Sequence, residues 1–113
     1  MIGKYGAKLD EKNRLFVPSK LRGELGDNFF VTLGVNCGHR CLTVYTAAEC
    51  SPDKQFRFAL TPFLLQYAGI DREVMIVGRA GQAEIWDAEE FAAFEMENLT
   101  PEKLLASLEA IGL

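Results

Sequence analysis

One histidine, His39, and three cysteines without a C-x-x-C pair leave this chain of 113 residues little material for metal or nucleophilic chemistry. No Ser/His/Asp or His/carboxylate arrangement is apparent, and Gly78-Arg-Ala-Gly81 has neither the G-x-G-x-x-G nor the P-loop spacing. These absences argue against an enzyme, a cofactor and a small-molecule substrate. No apolar run approaches the ~20 residues needed to cross a bilayer. The first residues lack the basic start and apolar stretch of a signal peptide. A cytoplasmic protein with no membrane partner is expected. An odd cysteine count fits reduced thiols in a cytosol. Cys37-Gly-His39-Arg-Cys41, with Cys50 nearby, does offer four metal-ligand types. A structural zinc site wants paired ligands on two knuckles, and three of these four fall in one expected hairpin loop. No metal is therefore expected, and Cys41 reads as a buried core residue.

What the chain does hold is apolar mass and uneven charge. Hydrophobic residues make up 49%, enough to build one core for one domain. The net charge is −4, which by itself argues against a nucleic-acid binder. The distribution says otherwise. Residues 1–60 carry nine Lys/Arg against six acids, and residues 61–113 carry three against ten. Such asymmetry predicts a basic face and an acidic remainder, and phosphate contacts need only a local basic surface.

The chain also repeats itself. Asp10-Glu-Lys12-Asn13-Arg14 is followed by Leu15-Phe16-Val17-Pro18, and Asp53-Lys54-Gln-Phe56-Arg57 by Phe58-Ala59-Leu60-Thr61-Pro62. Each copy has an Asp four residues before an Arg, then an apolar triplet and a proline. The copies lie 43 residues apart, long enough for one supersecondary unit. Leu21 falls on Leu64 and Gly26 on Gly69 at that offset, Gly34 on Gly78 at 44, and Val44-Tyr45 on Ile85-Trp86 at 41. Variable loop lengths would account for the drift.

Each unit reads as short strand, Asp-x-x-x-Arg turn, strand, short helix, glycine, strand, loop, strand. Tyr5 to Leu9 is a plausible edge strand. Asp10 to Asn13 is a turn, since Asp bonds nearby amides and Asn tolerates positive φ. Leu15-Phe16-Val17 is a β-rich run that Pro18 ends. Ser19 is the expected cap of a helix over 20–25. Strands are expected at Phe29–Leu33, Leu42–Tyr45, Val74–Val77 and Ala83–Trp86. Thr61 caps a helix with Pro62 at its first position, and Gly69 ends it. Asp87-Ala-Glu-Glu is a capping box for a helix to about Asn98. Thr100 opens a last helix with Leu104, Leu105, Leu108 and Ile111 on one face. The expected division is a first repeat over 1–46, a second over 47–87 and C-terminal helices over 88–113.

A doubled Asp-x-x-x-Arg followed by an apolar triplet and proline resembles the MraZ family. Tyr67-Ala-Gly69, Glu73-Val-Met-Ile-Val-Gly78 and Glu84-Ile-Trp-Asp87 are similar to that family's second half, and Cys41 to Tyr45 to the end of its first. The resemblance covers nearly the whole chain. It implies an α+β, mainly β fold: an AbrB-like swapped-hairpin, double-split β-barrel made from two βαβ-type repeats, with helices after it. It also implies a bacterial transcriptional regulator in the cytoplasm and nucleoid. Such a regulator would be a ring-shaped homo-oligomer on double-stranded DNA, reading direct repeats upstream of the division and cell-wall gene cluster.

Three departures stand out. The family's usual glycine before the arginine is Asn13 in one copy and Phe56 in the other. Asn takes a left-handed conformation readily and Phe only under strain. The second proline has slipped one position. The resemblance further implies a helical segment of about thirty residues between the halves, far longer than an ordinary connection. Here Tyr45-Thr46 runs almost directly into Ala47–Asp53, which looks like the strand entering the second motif.

Arginine reads guanine in the major groove through a bidentate fork, and lysine mostly holds phosphate. On the resemblance, Arg14 leads, with Lys12, Lys8 and Lys4 on or beside the same ribbon and Arg57 and Lys54 assisting. Asp10 and Asp53 fix the turns or orient the arginines. The main rival is an AbrB-like antitoxin module whose acidic C-terminal helices bind a protein. Residues 87–113 hold seven acids and one base, which would suit a basic partner.

Overall fold

The computed structural model describes residues 3–25, 29–50, 57–79 and 82–98, with the backbone alone at 24, 25, 46–50 and 79. The second Asp-x-x-x-Arg turn, at 53–56, and the last helix from Thr100 lie outside the described residues. In chain order the elements are β1 (Gly3–Lys8), β2 (Arg14–Phe16), α1 (Ser19–Leu25), β3 (Phe29–Asn36) and β4 (His39–Cys50). There follow β5 (Arg57–Ala59), α2 (Pro62–Ala68), β6 (Glu73–Arg79), β7 (Gln82–Asp87) and α3 (Ala88–Asn98). The fold is mainly β, as expected. Its strands form two ladders, a five-stranded sheet in the order β1-β6-β7-β4-β3 and a β2-β5 pair. Among the described residues the ladders do not close into one continuous barrel.

The 43-residue offset reappears in both ladders. Leu15 pairs with Phe58 and Leu42 with Ile85, and each pair is 43 residues apart in sequence. A local two-fold axis therefore runs through both ladders and relates the halves. The drifting offsets of 44 and 41 are corrected to a constant 43. Both hairpins turn on two residues, Asn36 pairing His39 and Arg79 pairing Gln82, so no loop insertion shifts the register. At that offset β2 overlays β5 and α1 overlays α2 end to end. The strands run longer than their apolar runs because pairing continues through the flanking polar residues.

Local chemistry sets the element ends. Thr61 Oγ1 accepts from Leu64 N–H at 3.3 Å, Pro62 follows it, and Gly69 ends α2 at φ 65°. Glycine takes that left-handed cap at no steric cost. Ser19, expected as a cap, is already inside α1, where Leu21 N–H bonds Pro18 C=O at 2.9 Å. Pro18 therefore stands just before its helix and Pro62 just inside the equivalent one, which accounts for the slipped proline. Cys37 and Gly38 have φ of 51° and 82°, the pair of positive values a tight type I′ hairpin needs. Ala47–Cys50 does not form a separate entering strand. It continues β4, with Cys50 opposite Phe29 after a register shift.

The main core lies between the two ladders. Leu15 and Phe58 project onto Phe29, Val44, Ile76, Ala83 and Ile85, with Leu21, Leu60 and Ala68 closing the sides. The rings of Phe29 and Phe58 meet edge-on at 4.8 Å. Cys41, Val77, Trp86 and Phe91 form a second cluster under α3, so Cys41 is buried as expected. Beneath it Glu84 is buried, accepting from Trp86 Nε1 at 3.1 Å and Asn36 Nδ2 at 3.3 Å.

His39 fastens α3 to the first hairpin. Its Nδ1 lies 2.6 Å from Glu90 and its Nε2 2.8 Å from Glu97. A neutral imidazole has one N–H, so both bonds are made only by the imidazolium. Bonding to Glu97, then to Glu90, raises its pKa from the usual 6.5 against the opposing effect of desolvation. The charge also offsets Glu97 at the helix C-terminus, where a carboxylate opposes the helix dipole.

Two outcomes are expected. Leu15→Ala should cost about 2–5 kcal/mol in urea unfolding followed by Trp86 fluorescence, because the axis contact is emptied. A raised folded-state pKa means that the His39 contribution is complete below pH 6.5 and lost as pH rises through the folded value. An NMR titration should show Glu97→Gln lowering the His39 pKa more than Glu90→Gln does.

Candidate nucleic-acid interface

The Asp-x-x-x-Arg turn is a closed hydrogen-bond unit. Asp10 Oδ1 accepts from the backbone N–H of Lys12 and of Arg14, each at 2.9 Å. Asp10 Oδ2 accepts from Arg14 Nε at 2.7 Å. Asp10 N–H reaches Arg14 C=O and Asn13 N–H reaches Asp10 C=O, both at 3.0 Å. Asn13 sits at φ 57°, the left-handed value expected of it in place of glycine. Its carbonyl accepts from Leu60 N–H at 3.0 Å, which ties the first turn to the second half. The backbone N–H of Arg14 is the main cause that lowers the Asp10 pKa from 3.8, with the Arg14 side chain and the Lys12 N–H adding to it against desolvation. The charge-assisted bond is made by Nε and does not use the terminal nitrogens of the guanidinium.

The β2-β5 pair carries this turn. Leu15 and Phe58 point into the core, so residues on either side of them point out. Arg14 stands opposite Ala59 and Arg57 opposite Phe16. Arg14 and Arg57 are thus diagonal neighbours about the local axis, roughly 7–8 Å apart at Cα. Both are half-buried at the base and share one outward face. The sequence reading passed over Arg22 there. Arg22 lies over the exposed Phe16 ring at 4.7 Å, and its Nε bonds Val17 C=O at 3.1 Å. Its place one helical turn after Pro18 was the available signal.

The lysines are spread more widely. Lys12 is exposed on the turn itself. Lys8 ends β1 just before the turn and stands 3.6 Å from Glu73. Lys4 is about 13 Å up the same strand and is not beside the turn. It bonds Glu95 of α3 at 2.7 Å and lies over Phe91. Lys54 and Asp53 lie outside the described residues.

The comparisons bear on the same elements. The family model described as "MraZ protein, putative antitoxin-like" matches residues 1–49 and again 44–104. The chain belongs to the MraZ family. It is similar to the transcriptional regulator MraZ of Limosilactobacillus fermentum, 33% identical over 122 residues, with 83% of this chain and 85% of that protein covered. The MraZ of Cutibacterium acnes is 31% identical over 124 residues, covering 82% and 85%. That of Clostridium acetobutylicum is 29% identical over 143 residues, covering 99% of both chains. An alignment of 143 positions exceeds the 113 residues of this chain, so at least 30 positions of that MraZ have no counterpart here. The two family matches meet at 44–49.

A depressed carboxylate pKa means that the turn keeps its full stabilisation above pH 3.8 and loses it as pH falls through the folded value. Carbon-detected NMR of the Asp10 carboxyl should show this low titration. Arg14→Ala should move it partway back, since the backbone bond from residue 14 survives the substitution.

Proposed function

We propose that this chain is a DNA-binding regulator of transcription whose reading surface is the outward face of the β2-β5 ribbon. The observation that carries this is the arginine pair about the local axis, with Arg14 held in place by Asp10. Two-stranded ribbons fit the major groove, where an oriented guanidinium can meet guanine O6 and N7. Membership of a family whose relatives bear the name transcriptional regulator supports the same reading. Arg14 leads the base contact, and Arg57 takes the equivalent place in the other half. Lys12 and Lys8 hold phosphates, with Lys54 assisting and Lys4 contributing least. Arg22 adds to the basic face. A single ribbon makes few contacts, so a ring-shaped homo-oligomer on direct repeats would gain by multivalency.

The antitoxin-like description of the family model favours a second reading, in which the acidic helix α3 grips a basic protein. Much of that acid is already engaged: Glu90 and Glu97 bond His39, and Glu95 bonds Lys4. The DNA reading is therefore preferred.

Fluorescence anisotropy with a labelled duplex of several G-rich direct repeats, at two salt concentrations, tests it. Wild type should bind in a salt-sensitive way, and Arg14→Ala should weaken binding about ten- to a hundred-fold. Lys12→Ala should weaken all sequences alike and reduce the salt slope by about 1. Equal binding by wild type and Arg14→Ala would remove Arg14 as the reader.

A further inference from the structure

The five-stranded sheet is symmetric except at one edge. About the axis through Leu42 and Ile85, β4 corresponds to β7 and β3 to β6. Outside β6 lies β1, paired along its length from Gly3↔Gly78 to Lys8↔Glu73. Outside β3, among the described residues, there is no strand. At the constant offset the counterpart of β1 is residues 46–51. The β1-β6 register, carried across, sets residue 47 opposite Gly34, 49 opposite Thr32 and 50 opposite Val31.

Residues 46–50 of the same chain do not reach that place. Tyr45 is paired with Phe30 on the β4 side of β3. Thr46 follows one peptide later, about 3.8 Å on. Its symmetric place is beside Val35 on the far side of β3. That is five residues along the strand, roughly 16 Å, and about two strand spacings, roughly 10 Å, across the sheet. Residues 46–50 instead continue β4. The ladder passes over 46–49 before Cys50 meets Phe29. The Clostridium acetobutylicum relative has at least 30 positions without a counterpart in this chain.

The edge left open is also unprotected. Sheet edges in monomers carry charges or prolines that discourage pairing. The other edge strand, β1, has Lys4 and Lys8. β3 reads Phe-Phe-Val-Thr-Leu-Gly-Val-Asn, with neither charge nor proline, and exposes Leu33 at 41% and Val35 at 66%.

We propose that residues 46–50 of a second copy of this chain pair with the outer edge of β3, and reciprocally, so that two copies exchange their second halves across the Tyr45–Thr46 joint. A connection too short to fold back is the usual cause of such exchange. Each β2-β5 ribbon then joins Arg14 of one copy to Arg57 of the other, and neither reading surface is complete in a single chain. The exchange stands on strand geometry and is independent of what the ribbon binds.

Cross-linking tests it on the full chain. In a Cys37→Ser background, Val31→Cys is set against the native Cys50. A second pair, Thr32→Cys with Glu49→Cys, lies one step along the ladder and serves if the first variant fails to fold. Each variant is checked by circular dichroism, oxidised in its folded state and run on a denaturing gel without reductant. The expected product is a covalent dimer joined through these positions, identified by peptide mass spectrometry. Inserting a flexible linker of about thirty Gly/Ser residues between Tyr45 and Thr46 should turn the same bond into one within a single chain. A folded short-jointed chain that forms no such bond, or forms it within one chain, overturns the exchange.

Discussion

The structure depends on one contact made twice over: an apolar residue of the first half meeting its own counterpart in the second. Leu15 against Phe58 and Leu42 against Ile85 lie on the local axis, and three of the four are almost wholly buried. Neither half could bury these positions alone. A three-residue strand such as β2 or β5 has too few hydrogen bonds to persist without its partner. Pairing across the axis supplies the missing edge and core in one step. The outward residues follow without further design, because strand alternation that sends Leu15 and Phe58 inward must send Arg14 and Arg57 outward.

That coupling gives the Asp10 turn its significance. A long guanidinium side chain on an exposed ribbon would sample many rotamers, and ordering it on binding would lower affinity. The bond from Arg14 Nε to Asp10 removes part of that freedom beforehand. Asp10 is fixed in turn by two backbone amides, so the orientation traces back to main chain and not to another mobile side chain. The link from Leu60 N–H to Asn13 C=O carries the arrangement into the opposite half. The turn and the core contact are therefore parts of one unit, and loosening either would free the Arg14 side chain.

What could be read from sequence was local. Asp10 and Asn13, Thr61 before Pro62, and Asp87 before its helix each act within four residues, and residue type alone points to them. The Glu90 N–H does reach Asp87 Oδ2, at 3.2 Å. What could not be read was contact across distance. Lys4 meets Glu95 and His39 meets Glu97 only because strand pairing brings α3 over the first hairpin. Lys4 looked like part of the basic ribbon because it precedes the motif in sequence, yet a strand carries it away from the turn. The offsets drifted because similar residue types, such as Gly34 and Gly78, drew the alignment away from positions that pairing makes equivalent.

The joint at Tyr45–Thr46 shows that a connection can matter more by its length than by its sequence. Loop-closure cost grows slowly, by about 0.6 kcal/mol for each doubling. A connection of some thirty residues is therefore a mild burden on a fold whose halves share a core. Shortening it lowers that burden only until the remaining chain can no longer span the distance, and then closure fails on geometry. Across β3 that limit falls near the five or six residues that an extended chain needs for ~19 Å. With a single peptide bond there, the two-fold core and the Asp10 turn can be kept while the outer strand of one half cannot. Strand β4 then runs on past its hairpin, and the uncharged edge of β3 is left for another chain to fill.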